Sequence, residues 1–239
     1  MSNSKRLDYV LVHAGIGSRK TVKGLVRKSD VLVNGVRVRD SSTHVKFGDT
    51  ISVDGEEIEF KEFYYFMMNK PPGVVSATTD PREKTVLDLL SESDQKKSVF
   101  PVGRLDKDTE GLIFLTTDGK LAHTLLSPNN FKIKSYIAQV SSEISKADIA
   151  FFRKGIILDD GYKTAPARLE IIEDNPHKCS IDLTEGKFHQ IKRMFEAIGK
   201  EVIKLKRLSI DSLNLDESLL PGEYRELTEE EIVKLRGIE

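Results

Sequence analysis

The chain is 239 residues long, 38% hydrophobic and 31% charged, with a formal net charge of -1, enough for one full core and a second small module. It contains no apolar run long enough to cross a bilayer, and Met1 to Arg6 lacks an apolar leader segment, so neither a membrane span nor a signal peptide is expected, and the expectation is a soluble, cytoplasmic protein. The single cysteine, Cys179, excludes an internal disulfide and any cysteine-cluster zinc site, and its strand-like surroundings mark it as a packing residue.

The charge is unevenly spread. Residues 1 to 46 carry ten Lys or Arg against three Asp, whereas residues 211 to 239 carry nine acids against three bases. A basic head on a nearly neutral chain is the pattern that engages phosphate backbones, although a solvated basic surface has the same count. Leu7, Val10, Leu11 and Ala14 fall at helical spacing and stop at Gly15, and Ser18 caps a second helix whose Val22, Leu25 and Val26 face inward. Arg19, Lys20, Lys23 and Arg27 share much of the opposite face, a candidate phosphate-binding surface. Val31 to Val38 is read as a hairpin around Asn34-Gly35, the pair a type I′ turn prefers, and Arg37 and Arg39 extend the basic patch. The abrupt acidic change at Glu56 to Glu62 is the expected link between domains.

Phe63 to Asn69 reads as a strand broken by Lys70-Pro71-Pro72-Gly73, and its aromatic residues are assigned to the core. The loop from Gly103 to Gly111 runs directly into the apolar strand Leu112 to Thr117, and so holds Asp106 at the edge of a core, where a catalytic carboxylate would sit. Most loop carboxylates face water, so the residues by themselves leave both readings open. Leu121, Leu125 and Leu126 suggest a helix returning onto the sheet. Lys132 to Val140 alternates with period two, which makes Tyr136 an ordinary half-buried strand tyrosine on pattern alone. Ser145 to Lys154 is expected to be a helix with a capping box completed by Asp148. Asp159 to Thr164 lacks the spaced carboxylates of a calcium loop and is a turn. Ile191, Met194, Phe195 and Ile198 lie on one helical stripe, which puts Lys192 and Arg193 off the core near a helix start, where cations oppose the helix dipole unless an anion accompanies them. His189 has no second ligand at a metal-binding spacing. Val202 to Arg207 and Leu219 to Thr228 read as closing strands, and Thr228 to Glu239 as a capped, solvated helix.

Three of these stretches share a resemblance. Gly-Arg-Leu-Asp-x-x-Thr-x-Gly-Leu at Gly103 to Leu112, Lys-x-Tyr at Lys134 to Tyr136 and Glu-Gly-Lys-x-His-Gln-x-Lys-Arg-Met at Glu185 to Met194 resemble, in the expected order, the motifs of the RsuA-like family of ribosomal RNA pseudouridine synthases. Asn-Lys-Pro-x-Gly at Asn69 to Gly73, followed by Thr85 to Leu90, resembles the opening of that family's catalytic domain. The helix-helix-hairpin head, with Ser18-Arg19, Val33-Asn34-Gly35 and Gly48 to Val53, resembles the S4 RNA-binding domain. The resemblance implies an α+β chain with an S4-type domain over residues 1–60 and a synthase domain over 61–239, built on a mixed, mainly antiparallel sheet flanked by helices.

It also implies a site. Asp106 is the expected catalytic carboxylate and nucleophile, Tyr136 packs against the target base and assists loss of its C5 proton, and Lys192 pairs with Asp106. Arg104, Lys187, His189 and Arg193 join the N-terminal cations as expected RNA contacts. Isomerising uridine involves no net redox change, so no cofactor and no metal is expected. The target base must leave its stack to reach such a pocket. The expected partner is ribosomal RNA. The segments Asp159 to Ala167 and Leu220 to Thr228, without a long basic tail, resemble the 16S-directed members, so the expectation is a monomer acting on 16S rRNA in a small-subunit assembly intermediate, with no membrane partner. The alternatives are a 23S-directed member, a noncatalytic ribosome-assembly factor, for which the combination of Asp106, Tyr136 and Lys192 has no use, and a glycosidase, for which the near neighbours Asp106, Asp108 and Glu110 offer no evident opposed pair.

Overall fold

The computed structural model describes residues 4–58, 61–172 and 175–237. The chain forms two units, one comprising the residues up to Tyr64 together with Leu90–Val99, the other Tyr65–Leu89 and the chain from Phe100 onward.

In the first unit β1 (Ser4–Arg6) leads into α1 (Leu7–His13) and α2 (Arg19–Lys28), followed by β2 (Val31–Val33), β3 (Val36–Arg37), β4 (His44–Lys46), β5 (Ile51–Val53) and β6 (Glu56–Ile58). The Ser18 hydroxyl accepts from the Thr21 amide and starts α2 as a side-chain cap, satisfying one of the free amides of a helix start. Asn34 and Gly35 both have positive φ, 51° and 77°, which the tight β2–β3 turn requires. The order β3-β2-β5-β6 makes a four-stranded antiparallel sheet. Leu7, Val10, Leu11, Val22, Val26 and Val31 are fully buried beneath it. Glu56–Ile58, expected to begin the link, instead forms the edge strand β6 paired with β5; the acidic side chains suit an exposed edge. Glu59 and Phe60, also assigned to that link, lie outside the described residues. A short helix, α3 (Glu92–Gln95), belongs to this unit although it is far along the chain.

The second unit is a nine-stranded sheet. Its elements in chain order are β7 (Tyr65–Lys70), β8 (Phe100–Val102), β9 (Glu110–Thr116), α4 (Gly119–Leu126), β10 (Lys134–Val140), α5 (Lys146–Lys154), β11 (Arg168–Ile172), β12 (Asn175–Leu183), α6 (Gln190–Glu196), β13 (Val202–Ile210), β14 (Leu213–Asn214), β15 (Tyr224–Glu226) and α7 (Glu229–Arg236). The main path is β11-β12-β10-β13-β9-β7-β15, with β8 on β9 and β14 on β13. Among the described strands of this sheet only β9 and β13 pair in parallel, so the α+β class with a mixed, mainly antiparallel sheet holds. Every residue of β7 is buried, and so is nearly all of β9, which explains why they read as continuous apolar runs rather than alternating ones. Along β10 the expected alternation is present, with Tyr136, Ala138 and Val140 buried.

Cys179 is fully buried opposite Ala138, and burial pushes its thiol up to about 12. The capping box of Ser145 and Asp148 is formed. Three readings need correction. Leu121 and Leu125 are buried, but Leu126 is 46% exposed, because it sits at the helix end, rotated off the stripe. The C-terminal strand is confined to Tyr224–Glu226, since Leu219 to Glu223 is a turn closed by the Glu223 amide on the Leu220 carbonyl. Helix α7 is capped by Thr228 and Glu231 as expected, yet it is not simply solvated: Ile232 and Leu235 are buried. Arg236 reaches the Tyr65 hydroxyl and Asp118.

Candidate active site

Strand β8 delivers the chain to the 103–111 loop, and β9 carries it away. Gly103 and Gly111 take φ of +78° and +101°, a region closed to most side chains. At Gly111 a Cβ would also overlap the backbone carbonyl of Arg207, because β9 and β13 meet there in parallel register. The loop turns back on itself through the Thr109 amide on the Asp106 carbonyl at 3.1 Å. Its first half is bracketed by Ser76, whose hydroxyl accepts from the Leu105 amide at 3.0 Å and donates to the Leu105 carbonyl at 2.9 Å.

Lys70, fully buried at the end of β7, supports the loop from beneath. Its ammonium donates to the carbonyls of Pro71 at 3.0 Å, Lys107 at 3.2 Å and Thr109 at 2.8 Å. Burial pushes Lys70 down to about 8, against the opposing pull of Asp108, Asp106 and Glu110. The sequence reading placed Lys70 in a turn after a strand and in the Asn-Lys-Pro-x-Gly motif, and gave it no role at the site. A lysine at the end of a strand whose first four residues, Tyr65 to Met68, are large and apolar is the signal that could have pointed to its role.

Helix α6 closes the loop from the other side. Its N-terminal flank holds His189 in the left-handed region, φ 48° and ψ 32°, a conformation in which His is enriched among non-glycine residues but which still costs about 1 kcal/mol. The turn is fixed by Gln190, which accepts from the Lys187 amide at 2.8 Å and donates to Glu185 at 2.6 Å. His189 Nε2 is thereby 3.5 Å from Asp106 Oδ1, and Lys192 Nζ is 3.4 Å from Asp106 Oδ2. The expected Lys192–Asp106 pair is present, but the shortest contact of Lys192 is to Asp108 Oδ1, at 2.6 Å. One ammonium thus bridges two carboxylates of the loop. Burial acts to lower Lys192, and Asp108 and Asp106 outweigh it, leaving it above its ordinary value. Burial likewise acts to raise Asp108, and the Lys192 contact outweighs that, so its carboxyl lies below the ordinary range.

Arg193 also has anionic partners, ion-pairing with Asp159 and, at 2.7 Å, Asp160. The turn from Asp159 to Thr164 therefore answers the cation at the start of α6, and the guanidinium expected to contact RNA is committed within the protein.

Asp106, Tyr136, His189 and Lys192 line one cleft of about 80 Å³ together with Arg104 and Lys187. Tyr136 forms part of its wall, and Thr109, whose buried hydroxyl has no hydrogen-bond partner among the described residues, lies in it too. Arg104 and Lys187 are exposed at its rim, with Lys187 Nζ 4.6 Å from the Tyr162 ring centroid. Phe188, 71% exposed, stacks on His189 at 3.8 Å. In the first unit Arg19, Lys20, Lys23, Arg27, Arg37 and Arg39 are all exposed. Arg37 is 3.3 Å from Asp30, and Arg39 donates to the Arg27 carbonyl at 3.0 Å. Among the described residues no group of His, Cys, Asp and Glu has the arrangement of a metal site.

Residues 64–197 match the family model described as RNA pseudouridylate synthase, and residues 5–51 match the S4 domain. An uncharacterized RNA pseudouridine synthase, YtzG, of Bacillus subtilis is 49% identical over 231 residues, 95% of this chain and 96% of that one. The ribosomal large subunit pseudouridine synthase B of the same organism is 41% identical over 239 residues, covering 98% and 96% of the two chains. The ribosomal small subunit pseudouridine synthase A of Salmonella typhimurium is 37% identical over 233 residues, covering 96% and 99%. A crystal structure of a pseudouridylate synthase superposes with a TM-score of 0.69 at 34% identity, covering 96% of this chain and 99% of that one.

Proposed function

The chain belongs to the RNA pseudouridylate synthase family, and from that premise we propose that it converts a specific uridine of ribosomal RNA to pseudouridine, with Asp106 as its catalytic nucleophile. The observation that carries this reading is the convergence of Asp106, Tyr136 and Lys192, from a loop, a strand and a helix, on one cleft. In the reaction the bond from uracil N1 to ribose C1′ breaks, the base turns, and a bond from C5 to C1′ forms. C5 gives up its proton and N1 ends protonated, so the balance needs neither oxidant nor cofactor.

Asp106 supplies the carboxylate that engages the nucleoside. Lys192 orients the carboxylates of Asp106 and Asp108 and favours the ionised form of Asp108. Tyr136 stacks on the uracil and assists loss of the C5 proton. The exposed cations of the S4 region hold the RNA backbone while Arg104, Lys187 and His189 contact the strand around the extruded nucleotide.

The preferred substrate is 16S rRNA in a small-subunit assembly intermediate, acted on by a monomer in the cytoplasm, a reading supported by the resemblance of Asp159 to Ala167 and Leu220 to Thr228 to 16S-directed members. A second reading, 23S rRNA, is favoured by the 41% identity to a large-subunit enzyme. Carbodiimide-based primer extension across both rRNAs, in cells lacking the chain and in cells rescued with it, separates the two. A 16S stop that vanishes in the null and returns with the wild-type chain supports the preferred substrate. A lost 23S stop replaces it with the second, and no lost stop in either RNA contradicts the proposed activity on rRNA.

A further inference from the structure

Beside the catalytic cleft is a second cavity of about 220 Å³ that shares Arg104, Tyr136, Gly186 and Lys187 with it. A buried water needs roughly 10–15 Å³ of such space, so the cavity admits a group of several non-hydrogen atoms. Its wall comes from one face of the sheet. Lys134 and Tyr136 are two apart on β10, and Tyr136 is paired with Arg207 on β13, so all three side chains project to the same side.

The charge on this wall is unbalanced. Arg104, Lys134, Lys187 and Arg207 line the cavity against one carboxylate, Glu185. Glu185 is already engaged, accepting from the Ala165 amide at 2.9 Å, the Gln190 amide group at 2.6 Å and the Tyr162 hydroxyl at 2.7 Å. Arg207 is 2% exposed and donates through Nε to the Leu112 carbonyl at 2.8 Å, yet among the described residues its Nη2 has no hydrogen-bond partner, neither a carboxylate nor any other group. A buried guanidinium without a counter-ion is costly. Lys134 donates to the Lys132 carbonyl at 3.0 Å. It is held below the ordinary lysine range first by burial and then by Arg207, with Asp211 opposing.

We propose that this cavity binds a phosphodiester of the RNA strand immediately flanking the target nucleotide, with Lys134 and Arg207 as its anion-binding pair. The inference rests on the reading of the chain as an RNA-modifying enzyme, since the anion that RNA presents beside a bound nucleotide is a phosphodiester. The site positions the strand: it places the nucleotide through its backbone, leaving the base to Tyr136 and Asp106. Neither Lys134 nor Arg207 was singled out by the sequence reading as an RNA contact.

The test uses the full chain and two probes, the dinucleotide uridylyl-uridine and its neutral methylphosphonate analogue, with affinities measured by NMR titration. Wild type is expected to bind the charged dinucleotide about tenfold or more tightly than the neutral one. Lys134→Gln should abolish that preference and Lys134→Arg restore it, with thermal unfolding of each variant verifying that it is folded. Equal affinity for the two probes, an unchanged preference in Lys134→Gln, or no binding of the charged probe to wild type up to about 10 mM would each overturn the proposal. Release of tritium from [5-³H]uridine-labelled rRNA by wild type is measured alongside. Its absence with an intact phosphate preference would sink the enzymatic reading while leaving the anion site standing, and the converse pattern would do the reverse.

Discussion

The two sides of the 103–111 loop are held by opposite kinds of force. Beneath it, Lys70 is sealed from water and donates only to main-chain carbonyls. Above it, His189 and Lys192 face the carboxylates of Asp106 and Asp108 across a partly open cleft. The lower contacts are short-ranged, directional and insulated from salt, whereas the upper ones set charge and answer to pH and ionic strength. A rigid floor and a responsive rim are what a site needs if it is to hold one carboxylate still while a charged polymer enters and leaves.

The sharpest way to break the contrast is to empty the rim. Lys192→Met removes the cation shared by Asp106 and Asp108, and turnover should fall about a hundredfold. The Asp108 carboxyl, no longer held down, should titrate at higher pH, as read by carbon NMR. Because the folded Asp108 lies below its unfolded value, its pairing helps stability above about pH 4 and is lost as the pH falls below that. Thermal midpoints of wild type and Lys192→Met should therefore converge in acid.

Lys70→Met tests the floor. Lys70 is buried and donates three hydrogen bonds to main-chain carbonyls, a stabilisation that the burial lowering its pKa to about 8 partly offsets. A net loss of about 1–3 kcal/mol in urea unfolding is expected, with kcat falling more than KM changes because the loop loses its shape. The sign with pH is distinctive. The unfolded chain holds the Lys70 proton up to about 10.5 and the folded one only to about 8, so wild type should gain stability relative to Lys70→Met as the pH climbs through that window. A difference that shrinks there would contradict the account of Lys70.

The smallest effect is expected at Arg193. Its pairs with Asp159 and Asp160 join exposed carboxylates, so Arg193→Met should lower the thermal midpoint slightly, and the difference should disappear at about 1 M salt. An Arg193 variant with intact stability but weakened rRNA binding would instead return this residue to the RNA surface.

Much of this arrangement was legible in the sequence because its signals are local. Helix caps, the Asn34-Gly35 turn, the period of β10 and the glycines bounding the Asp106 loop each act over a few residues, and each is found as read. What escaped depends on distant pairing. Lys70 looks like part of a turn until β7 packs beside β9, and Arg207 looks like one more surface cation until parallel pairing places it against Gly111. The buried face of α7 was hidden by an acidic composition that says nothing of Ile232 and Leu235 meeting a neighbour. Asp108 had only been weighed as a poor glycosidase partner, because nothing local shows that α6 would bring Lys192 within 2.6 Å of it.

The most direct measurement is tritium release from [5-³H]uridine-labelled rRNA by wild type and by Asp106→Asn, with rRNA affinity measured in parallel. The account predicts release by wild type, a loss of about a thousandfold or more in Asp106→Asn, and rRNA binding within about threefold of wild type, since Asp106→Asn removes one charge from the cleft and leaves the basic surfaces intact. Release by Asp106→Asn at the wild-type rate would contradict it.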